Sequence, residues 1–335
     1  MTPESHPFAR FIAILGRGRT LTRSLTVEEA EAAMGMILEG AVLPEQLGAF
    51  LMLLRVKEES PEEIAGFVRA ARTLIRPPAG APRVDVDWPS YAGKGRRLPW
   101  FLLSALVLAR NGWRVFMHGA EAHTAGRLYT GAALEALGFS VSTSLDDAAR
   151  GLAERNFAYL PIDGFCPKVG EMLALKPILG LRSPVHTFAR MLNPFAAPCL
   201  LQGVFHPGYI KIHRGAGLLL GQPRLAVFRG DGGEVERRPN KPCDVTLAID
   251  GAVTEERWPP TIDDPRQASD ETMDLSRLSG LWRGEIEDAY GEAAVVGTLA
   301  LALRCLGAAA DAGESEARAR ALWQARDRSR LMAAA

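Results

Sequence analysis

A chain of 335 residues with 39 Lys and Arg against 39 Asp and Glu is long enough to bury a sizeable core, and the length leaves room for two domains. An apolar fraction of 47% excludes a disordered or collagen-like chain, and zero formal charge excludes one that is basic throughout. No run approaches the ~18 uncharged apolar residues of a spanning helix and the start MTPESHPFAR lacks an apolar signal core, so a cytoplasmic protein without a membrane partner is expected.

Arg10, Arg17, Arg19 and Arg23, with Gly16 and Gly18 between them, read as a basic turn between the first two helices. From 25 to 75 the pattern is helical. Thr26 and Glu29 are spaced as a capping box, Gly40 is placed to end that helix, and Ser60, Pro61 and Glu63 repeat the start signal. Pro77, Pro78, Gly80 and Pro82 cannot continue a helix, and beyond them short apolar runs alternate with helical segments. The expected organisation is a helical domain over 1–76, completed by helices around 168–192, and an α/β domain over 83–335.

The strand signals are VDV, WRVFM, FAYLPI, LLQGVF, RLAVF and DVTLAI, and their alternation with helices predicts a largely parallel sheet. The run YGEAAVVGTLALALRCLGAAA is apolar almost all round and predicts a buried core helix, followed by the amphipathic EARARALWQARDRSRL. Cys166, Cys199, Cys243 and Cys305 lack CxxC spacing and read as buried free thiols rather than a zinc or disulfide framework.

Four segments carry candidate chemistry. The glycine loop Tyr91-Ala92-Gly93-Lys94-Gly95-Arg96-Arg97 follows a predicted strand and precedes a predicted helix, a position that presents backbone N–H groups to anions. It matches neither a P-loop nor GxGxxG, and an ordinary turn with a solvated cation cluster fits it equally; Lys94, Arg96 and Arg97 add charge suited to phosphates. His118, in Met117-His118-Gly119-Ala120-Glu121, and His123 lie just past WRVFM, where α/β proteins place ligands. A lone His also satisfies a buried polar partner, and no metal-ligand spacing accompanies these two. In the loop after RLAVF, Glu234 and Glu236 can hold magnesium bridged to a pyrophosphate, while Arg237, Arg238 and Lys241 can neutralise those carboxylates as ion-pair partners. Last, Pro207 can open a helix near His206, Lys211, His213 and Arg214.

In order, these segments resemble the anthranilate phosphoribosyltransferases, the TrpD-like proteins of glycosyl transferase family 3, over nearly the whole chain. The helical start at 25–72 is similar to the family's N-terminal domain, and ALKPILGLRSPVHTFARMLNP to its segment ending in Asn-Pro. The resemblance implies a phosphoribosyltransferase-type fold, a small all-helical domain beside a larger α/β domain with a mainly parallel central sheet, and a homodimer formed through the helical domain. Active members carry GTGGD, NIST and KHGNR segments and an Asp-Glu pair for magnesium. Here GTGGD becomes YAGKG, NIST becomes Pro99-Trp100-Phe101-Leu102, KHGNR keeps only His118 and Gly119, and Asp-Glu falls near Glu234-Val235-Glu236. Pro and Leu cannot replace hydroxyl donors to a phosphate.

These departures resemble the YbiB-type subgroup, and the resemblance implies nucleic-acid binding in place of phosphoribosyl transfer, with no catalytic residue and no cofactor. The leading reading is a dimer whose basic loops hold the phosphate backbone of DNA or RNA without strong sequence preference. Its candidate contacts are Lys94, Arg96, Arg97, His118, Lys211, Arg237, Arg238 and Lys241. It requires acids such as Asp146, Asp147, Glu255 and Glu256 to lie on another face. The alternative is a phosphoribosyl or other family 3 glycosyl transferase with an altered acceptor, using Glu234 and Glu236 for Mg2+; a third reading is a dimeric scaffold that recruits another protein.

Overall fold

The computed structural model describes residues 5–18, 20–121, 124–264, 270 and 272–331, so Arg19 and His123 lie outside the described residues. The chain opens with α1 (Ala9–Gly16), α2 (Val27–Leu38), α3 (Pro44–Lys57) and α4 (Pro61–Arg72). Both capping boxes form. Thr26 Oγ1 accepts from the Glu29 N–H while Glu29 reaches back to the Thr26 N–H, and Ser60 and Glu63 do the same at α4. Between α2 and α4 the backbones approach closely at Gly66, where a Cβ would stand 2.4 Å from the Val27 carbonyl oxygen and 2.6 Å from the Ala30 Cβ. Neither neighbour is a flexible tip that can swing aside. Gly66→Ala is therefore expected to destabilise the chain by about 1–3 kcal/mol, read as a lower urea midpoint.

The second layer follows as β1 (Val86–Ser90), α5 (Phe101–Arg110), β2 (Val115–Gly119), α6 (Thr130–Ala136), α7 (Leu145–Arg155) and β3 (Phe157–Pro161). Short helices α8 (Pro167–Leu173), α9 (Lys176–Leu179) and α10 (Val185–Phe188) then return to the helical layer. Their residues Val169, Met172, Val185 and Phe188 share one core cluster with Phe11, Phe50 and Phe67. The chain re-enters the sheet through β4 (Cys199–Val204), α11 (Tyr209–Leu219), β5 (Arg224–Arg229), β6 (Cys243–Ile249) and β7 (Ala252–Trp258). It closes with α12 (Ser276–Arg283), α13 (Ala289–Leu306) and α14 (Ala312–Gln324).

The sheet order is β3-β2-β1-β4-β5-β6-β7, parallel from β3 to β5 and antiparallel at the β5–β6 and β6–β7 pairings. It is a mostly parallel seven-stranded sheet beside a small N-terminal helical domain. β7 was not among the strand signals because it carries the polar run Thr254, Glu255, Glu256 and Arg257, of which all but the half-buried Glu256 are exposed, as on an edge strand. α13 is long and apolar enough to cross a membrane by length and composition, yet most of it is buried against α5 and the sheet.

Strand order reverses direction between β1 and β4, and the two pair only over Val86 and Asp87. Pro89 has no N–H to extend that pairing, so the C-terminal ends part there. Such a switch point opens a crevice outside the strand ends, where ligands of open α/β sheets bind.

Candidate functional site

Four loops converge on that crevice: the glycine loop after β1, the loop after β2, the start of the β4–α11 connection, and the loop after β5. They line a cleft of about 580 Å³ formed by Lys94, Arg96, Arg97, Arg127, Phe205, Arg229, Asp231 and Arg238 among others. Arg96 and Arg229 are exposed, and Arg97, Arg127 and Arg238 are half-buried. Phe205, half exposed at 50%, offers an aromatic face beside these guanidinium groups.

The floor of the cleft is organised by carboxylates. Glu234 Oε1 accepts from the Ala92 and Gly93 N–H groups, both at 2.6 Å, so an internal carboxylate fills the amide nest of the glycine loop. Glu236 Oε2 accepts from the Phe101 N–H at 2.9 Å and caps α5 in place of a bound anion. Lys94 donates to Asp231 Oδ2 at 2.5 Å and to Glu236 Oε1 at 2.6 Å, and Arg97 donates to Asp231 Oδ1 at 2.9 Å. Two glycines bring the Glu234 segment this close: a Cβ on Gly203 or Gly230 would stand 2.1 or 1.7 Å from the Glu234 carbonyl oxygen.

Burial opposes the Lys94 ammonium, but Glu236 and Asp231 outweigh it and hold its pKa above the ordinary lysine value. Burial likewise works against the Asp231 carboxylate, and Lys94 and Arg97 together hold its pKa below the usual range. The cluster is a closed ionic lattice.

Several sequence expectations change accordingly. Lys94, 2% exposed, has its ammonium consumed by two carboxylates and is no phosphate contact. Arg237 is fully buried over Trp258, bonded to Glu316 and the Pro259 carbonyl, because it anchors the loop to α14 rather than facing the crevice. His118 is fully buried, with Nε2 3.0 Å from Asp87 Oδ1 and Nδ1 2.8 Å from the Tyr91 hydroxyl. The polar-partner reading holds for it. Lys211 on α11 and Lys241 before β6 are exposed but do not line the cleft. Arg214 pairs with Glu255 and Arg23 with Glu29. Arg96, Arg97 and Arg238 are brought together.

Arg127, Arg229 and Phe205 were not singled out from the sequence. A signal existed for Arg229, the last residue of β5, whereas Arg127 is delivered by a pairing of Lys94 with Leu128 that no local pattern announces. Asp146, Asp147, Glu255 and Glu256 all lie away from the cleft lining. Glu234 and Glu236 do not form a magnesium pair: two backbone amides hold Glu234 Oε1 and leave its buried Oε2 without a partner among the described residues, and both oxygens of Glu236 are taken by an ammonium and a helix start. Among the described residues no three His, Cys, Asp or Glu side chains are grouped to hold a metal.

A second, smaller cavity of about 130 Å³ lies between the helical and α/β layers, sharing Phe205 as a wall. His213 of α11 lines it, and burial together with the Arg190 charge pushes its imidazole down to about 3. The folded chain thus resists protonating His213 while the unfolded chain takes the proton at the ordinary value of 6.5. Its contribution to stability is present above 6.5 and is lost as pH falls towards about 3. Urea midpoints measured across this window are expected to fall less steeply for His213→Asn than for the native chain.

Comparison with known proteins places these observations. Residues 9–74 match the model of the glycosyl transferase family helical bundle domain. The Escherichia coli K12 protein named "Uncharacterized protein YbiB" is 29% identical over 246 residues, 72% of this chain and 76% of that protein. An anthranilate phosphoribosyltransferase of Oleidesulfovibrio alaskensis is 32% identical over 234 residues, 69% of this chain and 70% of that enzyme. In fold, the chain is similar to the crystal structure of the anthranilate phosphoribosyltransferase of Thermus thermophilus, with a TM-score of 0.78 at 23% identity over 98% of this chain and 97% of that one. The Saccharomyces cerevisiae enzyme in complex with PRPP and Mg gives a TM-score of 0.75 at 14% identity, over 98% and 96% of the two chains.

Proposed function

That the chain belongs to the TrpD-like, anthranilate phosphoribosyltransferase family is the premise from which we propose that it uses this fold to hold the phosphate backbone of nucleic acid, and not to transfer a phosphoribosyl group. The observation that carries the reading is the self-filled floor of the cleft. Glu234 occupies the glycine-loop amides, Glu236 caps α5, and Lys94 lies bonded to both Asp231 and Glu236. A pyrophosphate–magnesium unit would have to displace Glu234 from the loop amides and Asp231 and Glu236 from the cations that pair with them.

The rim remains charged. Arg96, Arg127, Arg229 and Arg238 face the cleft without a carboxylate partner among the described residues, and backbone binding needs such cations rather than base-reading groups. A homodimer through the helical domain belongs to the same proposal: Val56 on α3 and Ile178 on α9 are about four-fifths exposed, and two-fold pairing would double the basic patch.

The test is a labelled single-stranded oligonucleotide titrated across a salt series, alongside an assay for magnesium-dependent consumption of phosphoribosyl pyrophosphate. The expected result is binding that weakens steeply with salt and no turnover. Turnover with no oligonucleotide binding at low salt would replace this reading with the transferase one.

A further inference from the structure

The interdomain cavity of about 130 Å³ is walled by Arg55 from α3, Arg182 and Arg190 from the segment around α10, Tyr209 and His213 from α11, and the Phe205–His206 turn. None of the three arginines forms an ion pair among the described residues. Arg55 donates to the Tyr209 hydroxyl at 2.8 Å, and Arg190, buried, donates to the carbonyls of His186, Gly203 and Gly233. The nearest acids, Glu59 and Glu234, act on Arg55 and Arg190 only at a distance and form no ion pair with them among the described residues: Glu59 Oε1 accepts from Thr187 Oγ1 and Glu234 Oε1 from the glycine-loop amides. A buried guanidinium without a carboxylate is costly unless an anion joins it.

His213 adds a neutral imidazole whose buried Nδ1 has no hydrogen-bond partner among the described residues. The cavity has ample room for a compact oxyanion together with ordered water. The lining supplies forked cationic donors, the geometry that recognises phosphate oxygens.

We propose that this cavity is a phosphate site, separate from the cleft, that holds one tetrahedral phosphate group between Arg55, Arg182 and Arg190. The group comes either as inorganic phosphate or, if the nucleic-acid reading above holds, as the terminal monoester of a strand lying in the adjoining cleft past Phe205. Arg55 and Arg190 belong to the helical layer, and the wall opposite them is the β4–α11 connection with Tyr209 and His213 of α11, so a bound phosphate sits at the junction of the two layers.

Calorimetric titration of the full chain with inorganic phosphate tests it. Saturable binding at millimolar phosphate is expected, weakened about tenfold or more in Arg182→Gln and separately in Arg55→Gln, as loss of a charge-assisted bond implies. Using both variants guards against one that fails to fold, and the Arg96→Ala, Arg97→Ala doublet is expected to weaken strand binding while phosphate still binds. Tighter binding of a 5′-phosphorylated than a 5′-hydroxyl oligonucleotide, lost in Arg182→Gln, would identify the strand terminus as the source. Equal binding of the two oligonucleotides, with phosphate bound, would identify the free ion. If oligonucleotides do not bind but phosphate does, the cleft reading falls and the cavity stands. No saturable phosphate binding, or binding that survives both arginine variants, overturns the proposal.

Discussion

Lys94→Met is expected to destabilise the folded chain by about 3–5 kcal/mol, the range for removing one partner of a buried ion pair. The substitution leaves a side chain of similar length, so the loss is electrostatic rather than a cavity. Asp231 and Glu236 would face each other across the vacated position, both nearly buried, with Arg97 bonded only to Asp231. Burial already pushes the Glu236 carboxyl up, and without the ammonium it takes up a proton. The double variant Lys94→Met with Glu236→Gln is expected to regain a large part of the lost stability, because the amide needs no counter-charge and still accepts from the Phe101 N–H. Urea denaturation of the native chain and the single and double variants measures this. A single variant as stable as the native chain would show that the lattice contributes little, and with it the argument that Lys94 is withdrawn from ligands would fall.

The second large effect concerns the rim. Replacing Arg96, Arg97, Arg229 and Arg238 together by serine is expected to flatten the dependence of oligonucleotide affinity on salt. The log–log slope should become shallower by about 3, from a contribution of ~0.7 per phosphate contact on a single strand. Lys211→Ala with Lys241→Ala, two exposed cations outside the cleft lining, is expected to change the slope little. An unaltered slope in the fourfold variant would exclude the cleft as the interface. Arg97 also bonds Asp231 in the lattice, so some loss of folded stability accompanies the fourfold variant, whereas Arg96 and Arg229 are exposed and contribute little to it. Circular dichroism of the variant separates the two causes.

The legible part of this chain was its periodic and punctuated part. Thr26 with Glu29 and Ser60 with Glu63 announced helix starts that close with the expected hydrogen bonds, because a cap is a contact over three residues. The apolar runs leading into β2, β3, β4, β5 and β6 were visible for the same reason, the alternation or continuity of buried positions. Cation-rich loops were visible as well, but not the direction in which each cation turns. Lys94 and Arg96 are two residues apart on one loop, yet one is sealed under carboxylates and the other exposed. That outcome depends on Asp231 and Glu236, more than 130 residues further on, as the sequence separations of 137 and 142 record. Arg237 and Arg238 part in the same way, one against Trp258 and α14, the other towards the cleft. Local composition carries charge; only long-range packing decides which charges a ligand meets.

The shared core of the first four helices and the 167–191 segment has a consequence for how the chain is made. Phe8, Phe11, Phe50 and Phe67 stack edge to face in sequence, and the series is completed by Phe188, at 5.8 Å from Phe67. During synthesis at ~5–20 residues per second, the first helices therefore wait for several seconds with an apolar flank uncovered, until the residues that cover it leave the ribosome. β1, β2 and β3 are translated inside that interval. The nascent chain thus presents two unfinished surfaces at once, and its order of assembly is set by the arrival of α10 rather than by the order of its layers.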